Sequence, residues 1–140
     1  MKILLPVDGS DYTKRMLAFV AAHDELFGKG NEFTVCTVVA PIPAYATRFL
    51  DRGTLDAHYE EQAETVLGPV RKFAAQHAWN PSMLHLRGHA GEAIAALANE
   101  TKPDLIVMGS HGHSALGSVA LGSVANGVLA RCKTPVLLVR

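Results

Sequence analysis

The chain predicts an α/β fold: a single-domain, doubly wound, open parallel five-stranded sheet with helices on both faces. Three observations carry that expectation. Short apolar runs alternate with helical patterns along all 140 residues, in the order βαβαβαβαβ. Two of the runs are apolar on both faces, which suits strands covered by helices on each side. The runs also end in turn-forming residues at Asp8-Gly9-Ser10, Gly88 and Gly109. Parallel strands joined in this way need right-handed crossovers through helices.

Ile3 to Val7 reads as the first strand, ending at Asp8-Gly9-Ser10. Ser10 or Gly9 then caps a helix whose apolar face is Tyr12, Met16, Phe19, Val20, His23 and Phe27; Gly28 and Gly30 stop it. His23 on that face reads as a satisfied core or boundary residue. Phe33 to Val39 is the second strand, closed by Ala40-Pro41-Ile42-Pro43, and residues 41–53 read as irregular. A long helical pattern follows through Leu55, Tyr59, Ala63, Val66, Val70, Phe73 and Ala74. Gly68-Pro69 inside it is expected to kink or briefly break the helix. Ser82 to Arg87 is the third strand, and Gly88 leads into a helix carrying Ile94, Leu97 and Ala98, ended by Lys102-Pro103. Leu105 to Met108 is the fourth strand. A glycine-rich loop then leads to a helix from about Ser123 to Arg131, and Thr134-Pro135 starts the last strand, Val136 to Val139.

Composition narrows the function classes. A chain of this length makes one domain with its own core. Its 49% apolar and 19% charged residues describe a folded globule rather than a disordered chain. Thirteen basic and thirteen acidic side chains cancel, so no net field favours nucleic acid or an anionic membrane. No apolar run reaches the ~18 residues of a membrane span. The opening Met1-Lys2-Ile3-Leu4-Leu5-Pro6-Val7-Asp8 is too short to read as a signal peptide. Cys36 and Cys132 lack CxxC spacing and read as two buried, reduced thiols in the cytoplasm.

The chemistry concentrates in Gly109-Ser110-His111-Gly112 and, further on, Gly122-Ser123-Val124. Glycines after an apolar strand let the backbone turn sharply and approach a ligand closely. A helix starting near Ser123 aims its free N–H groups at the occupant of that turn, for which an anion such as phosphate is suited. In open α/β sheets, ligands bind beyond the carboxyl ends of the strands where strand order reverses. Asp8, Val38 or Val39, and Gly109 all fall at such ends. A tandem repeat, Leu116-Gly-Ser-Val-Ala120 and Leu121-Gly-Ser-Val-Ala125, offers two registers for the glycine motif. The second copy continues into the better helix start, which selects Gly122-Ser123 over Gly117-Ser118. Position 123 is serine where a Walker lysine belongs, and no GxGxxG follows the first strand. The spacing that fits is G-x2-G-x9-G-S.

With these motifs the sequence resembles the universal stress protein family, in its nucleotide-binding branch. The resemblance covers nearly the whole chain: Ile3-Leu-Leu-Pro-Val-Asp-Gly-Ser10, Gly88-His-Ala-Gly91 leading to Ile94, Asp104-Leu-Ile-Val-Met-Gly-Ser-His-Gly112, Leu121-Gly-Ser-Val124 and Pro135-Val-Leu-Leu-Val139. It implies that Asp8 bonds the ribose hydroxyls, that Pro6 and Val7 flank the adenine pocket, and that Val38 lies beside adenine. Met108, Gly109 and Ser110 would line the nucleotide, while Gly112, Gly122, Ser123 and Val124 would hold phosphate. It further implies ATP, or AMP or ADP, as ligand, with Mg²⁺ an added possibility, and a homodimer formed through the C-terminal strand Pro135 to Val139.

Plainer roles compete with these. Asp8 can be a turn residue, and Ser123 an N-cap. His111 and His113 form an H-x-H pair, but no third metal ligand has suitable spacing. Family members often carry Arg or Lys in the loop after the second glycine, whereas residues 113–121 here contain no permanent cation. No general base is evident, so a nucleotide-binding regulatory protein of stress response is expected ahead of a slow ATPase, a self-phosphorylating enzyme or a dimeric module with a vestigial pocket.

Overall fold

In the computed structural model, which describes residues 1–114 and 120–140, every strand pairs in parallel and the sheet order is β3-β2-β1-β4-β5. The strands are β1 (Lys2–Pro6), β2 (Glu32–Val39), β3 (Ser82–Arg87), β4 (Leu105–Gly109) and β5 (Val136–Val139), each within a residue of its expected bounds. From β1 the chain winds outward through β2 to β3, then crosses back to β4 on the other side of β1. Strand order therefore reverses between β1 and β4, and the expected doubly wound sheet is observed.

Alternation along the central strands divides the core. Ile3, Leu5, Val7, Val35 and Val107 face α1 (Asp11–Ala22) and α4 (Arg52–Gln76), where Met16, Val20, Ala63, Leu67 and Val70 pack. Leu4, Cys36, Ile106 and Met108 face α5 (Ala90–Thr101) and α6 (Ser123–Arg131), against Ile94, Ala98, Ala125 and Val128. Ile3, Leu4, Leu5 and Ile106 are at most 1% exposed, so burying each contributes about 1.5–3 kcal/mol.

Three local expectations change. The first helix stops at Ala22, and a single turn, α2 (Asp24–Phe27), follows the break at His23. There the imidazole Nδ1 bonds the Phe19 carbonyl at 2.8 Å, and the ring stacks on Phe19; the side chain takes a carbonyl that a continuing helix would use. Phe27 stays buried, and His23 is half-buried as the boundary residue expected. The segment 41–53 is not wholly irregular: it holds a one-turn helix, α3 (Ala44–Thr47), and Asp51 caps α4 by accepting from the Thr54 amide at 2.7 Å. That amide bond holds the Asp51 carboxyl below its ordinary range. Helix α4 then runs unbroken through Gly68-Pro69. Pro69 and Thr65 are both exposed, so the carbonyl that proline deprives of its amide donor belongs to the solvent side of the helix.

Ser10, rather than Gly9, caps α1, its hydroxyl accepting from the Thr13 amide. Gly9 makes the turn itself at φ +77°, a conformation that glycine adopts without penalty. The helix after the glycine loop begins at Ser123, so the second copy of the repeat carries the helix start. Gly117 and Ser118 of the first copy lie outside the described residues. Helices α5 and α6 cross closely at Gly91 and Gly127, where a Cβ on Gly91 would stand 3.0 Å from the Gly127 Cα. Side-chain-free contact of this kind draws the two helix starts together over the carboxyl end of the sheet.

Candidate functional site

The carboxyl ends of β1, β2 and β4 and the starts of α5 and α6 enclose a cavity of about 460 Å³. This lies within the range of small-molecule sites. Pro6, Val7, Asp8, Val38, Met108, Gly109, Gly112, Gly122, Ser123 and Val124 all line it. Residues from five segments thus meet at the switch point, and each arrives there for a local reason.

The floor is apolar. Cys36, Ile94, Met108 and Ala125 are each 4% exposed or less and belong to the core on the α5/α6 face. Burial pushes the Cys36 thiol up from 9.0 to about 12, so it stays protonated. Cys132 is half-buried, not enclosed as expected, and both cysteines are free.

One side of the floor carries an open peptide. The Val7 amide donates to the Cys36 carbonyl at 2.8 Å, so Cys36 directs its backbone toward β1. The Gly88 amide donates to the Val39 carbonyl, so Val39 directs its backbone toward β3. Backbone groups alternate along a strand. The Val38 N–H and C=O therefore point into the gap that opens where β1 ends at Pro6, and no described residue bonds them. Val38, not Val39, offers the donor–acceptor pair.

Asp8 stands across from it. Its Oδ1 accepts from the Ser10 amide at 2.9 Å and the Thr13 hydroxyl at 2.8 Å, while its own amide donates to the Thr13 hydroxyl at 3.0 Å. Thr13 is buried and lines the cavity. One carboxylate oxygen thus fixes the turn, the plain role weighed for Asp8. The other, Oδ2, lies against the Gly112 backbone, where a Cβ would come within 2.6 Å of it.

The glycines of the loop answer to contact. A Cβ on Gly109 would stand 2.7 Å from the Tyr12 Cβ, and one on Gly122 would stand 3.0 Å from the His111 Cα. Gly122 is the N-cap of α6 and Ser123 its first residue, with no side-chain capping bond. The capping role weighed for Ser123 is thus taken by Gly122, leaving the exposed Ser123 hydroxyl in the cavity wall. The amides of Ser123, Val124 and Ala125 open the helix, where intrahelical acceptors are absent.

Ser110 is the site residue that the structure moves elsewhere. It is 1% exposed and does not line the cavity. Its amide donates to the Val139 carbonyl, its carbonyl accepts from the Gly122 amide, both at 2.8 Å, and its hydroxyl meets His111 Nδ1 at 3.0 Å. It positions the loop from behind. His111 packs on Tyr12 with ring centroids 5.1 Å apart, and His113 Nε2 donates to the Asp8 carbonyl at 2.7 Å. The H-x-H pair thereby tethers the loop, and no group of three metal-binding side chains occurs among the described residues. Thr13, Ala90, Ile94, Leu121 and Ala125 are lining residues that motif reading missed.

A parallel sheet with a crevice at its switch point and a glycine-rich loop on one rim defines a doubly wound α/β domain. The family model of the universal stress proteins matches residues 1–140. The chain belongs to the universal stress protein family. It is 38% identical over 138 residues to a universal stress protein of Thermus aquaticus encoded in the QAH/OAS sulfhydrylase 3′ region, covering 99% of this chain and 97% of that one. The solved structure of hypothetical protein MJ0577 superposes with a TM-score of 0.81 at 28% identity, over 99% of this chain and 94% of that one. A universal stress protein solved in complex with cAMP superposes at 0.71 and 21% identity, over 100% and 97%. Further neighbours of the same fold, at 21% and 12% identity, are solved with dAMP and AMP. No helix among the described residues is long and apolar enough to cross a membrane.

Proposed function

We propose that this chain binds an adenine nucleotide in the crevice, as ATP with Mg²⁺, ADP or AMP, and uses its occupancy as a regulatory signal in a cytoplasmic stress response. The open Val38 peptide carries the reading. A backbone N–H beside a C=O matches the adenine edge, with N1 as acceptor and the 6-amino group as donor. Guanine presents the reverse pattern there. The apolar floor suits a flat base, and the Asp8 Oδ2, which bonds no described residue, suits the ribose hydroxyls, a charge-assisted contact worth about 1.5–3 kcal/mol. Gly122, Ser123 and Val124 then take phosphate at the start of α6. Neighbours solved with cAMP, dAMP and AMP support the same ligand class.

The chain also acts as a homodimer in this reading. Strand β5 is at a sheet edge and its residues are all half-buried. The Ile106 amide donates to Pro135 and the Ser110 amide to Val139, so the intervening Val136 and Leu138 direct their backbone outward, ready to pair with a second copy.

The test is to denature purified protein and identify any released nucleotide by chromatography, followed by calorimetric titration with ATP and Mg²⁺. An adenine nucleotide in the supernatant, or saturable binding, is the expected result; no release and no binding at millimolar ligand rejects the reading.

A further inference from the structure

The volume of the crevice does not select among adenosine, AMP and ATP, but its charge does. Among the described lining residues the sole permanent charge is the Asp8 carboxylate, and there is no lysine or arginine. The sequence shows the same lack of charge: from Leu105 through Ala130 the chain contains no Asp, Glu, Lys or Arg at all. Four cations on the flanking elements are committed elsewhere. Arg87, at the end of β3, pairs with Asp56 at 2.7 Å and lies over the Tyr59 ring. Arg131, at the far end of α6, reaches Glu92 and the Gly127 carbonyl. Arg15 lies over Tyr12, and Lys14 faces Asp11.

The neutral His113 ring does not replace them. His113 spends its Nε2 proton on the Asp8 carbonyl, so in the neutral ring Nδ1 is an acceptor, which repels phosphate oxygens. The Asp8 carboxylate itself lines the crevice beside Gly112. Beside the loop backbone, the described residues offer an anion the opening amides of α6, with a partial charge near +0.5, and the Ser123 hydroxyl. That complement matches one phosphate group. Each added phosphoryl group brings negative charge with no fixed positive partner, in a site where a carboxylate already stands.

We propose that the crevice selects a nucleotide with a single phosphate group, and that di- and triphosphates enter it with tight affinity only when a divalent cation accompanies them. This rests on the adenine-nucleotide reading above and names the ligand class within it.

The experiment is a calorimetric series with adenosine, AMP, ADP and ATP, first without divalent cation and then with Mg²⁺, at low and high salt. AMP is expected to bind at least about tenfold more tightly than Mg²⁺-free ATP, with a gap that narrows when Mg²⁺ or salt is added. A second arm uses Ser114→Arg, which places a cation on the exposed rim. It is expected to tighten Mg²⁺-free ATP about tenfold and AMP by less than about threefold. Circular dichroism and thermal midpoint confirm that the variant is folded. Mg²⁺-free ATP binding as tightly as AMP in the unmodified chain overturns the selection, and so does adenosine binding as tightly as AMP. Either result leaves the adenine reading standing, because a nucleoside or nucleotide has bound. Absence of binding by all four ligands removes that reading itself.

Discussion

The two ends of the crevice are built differently. The base end is made of strand ends and core side chains: Cys36, Ile94 and Met108 are 0%, 3% and 4% exposed, and Val38 hangs from a strand paired on its far side to β3. The phosphate end is a loop, with His113, Ser114 and Ser123 exposed, tied down by contacts through Ser110 and the two histidines. In the proposed reading, recognition of the base is fixed by the same packing that holds the sheet together. Recognition of phosphate would then depend on backbone donors and a few tethers. The first is difficult to alter without unfolding the protein, and the second is open to change by single substitutions.

The substitution expected to act most strongly joins the two ends. Gly109→Val places a side chain against the Tyr12 backbone, at a point where neither strand nor helix can yield. Overpacking of this kind costs about 1–3 kcal/mol. Urea unfolding is expected to show that loss, with nucleotide binding abolished; an unchanged midpoint contradicts the close-contact role. Next is base selectivity. At the rigid end GMP is expected to bind at least about a hundredfold more weakly than AMP, because its edge leaves the Val38 donor and acceptor mismatched. Competition calorimetry measures the ratio, and parity between the bases rules out the Val38 contact. Asp8→Ala should weaken AMP by about ten- to a hundredfold through the lost ribose contact. It also frees Thr13, so its thermal midpoint falls as well.

The smallest effects arise from burial. At the floor, Cys36 should resist iodoacetamide at pH 8 while Cys132 reacts, since its thiol is pushed up to about 12 and the thiolate is the nucleophile. The sign for stability follows: the unfolded chain releases this proton at ordinary cysteine pH and the folded chain holds it. Folding is thus progressively disfavoured as pH rises above 9.0, at up to ~1.4 kcal/mol per pH unit.

Much of this was legible in the sequence because strand ends announce themselves. Apolar runs cut by Asp8-Gly9, Gly88 and Gly109 located the carboxyl edge, and the doubly wound order implied where the ends converge. The glycine loop was readable because close backbone approach leaves few alternatives to glycine. Ile94 and Ala125 were not readable as site residues: at helical spacing they look like core, and they are core, with the cavity opening on one side of them. Thr13 was hidden because its role is a bond to Asp8 across a turn. Ser110 misled in the opposite direction. A small polar residue between Gly109 and His111 reads as a ligand contact, and nothing in the sequence says that its side chain turns inward. The break at His23 likewise depends on one imidazole finding one carbonyl.

That inward turn of Ser110 provides two built-in clocks. Its own amide proton is held by the last strand residue, Val139, and the amide of Gly122 is held by its carbonyl. The first exchanges with solvent when the outer strand lets go, and the second when the helix start lifts from the loop. Deuterium uptake at these two protons reads the motion of the sheet edge and of the ligand rim separately, from one peptide neighbourhood.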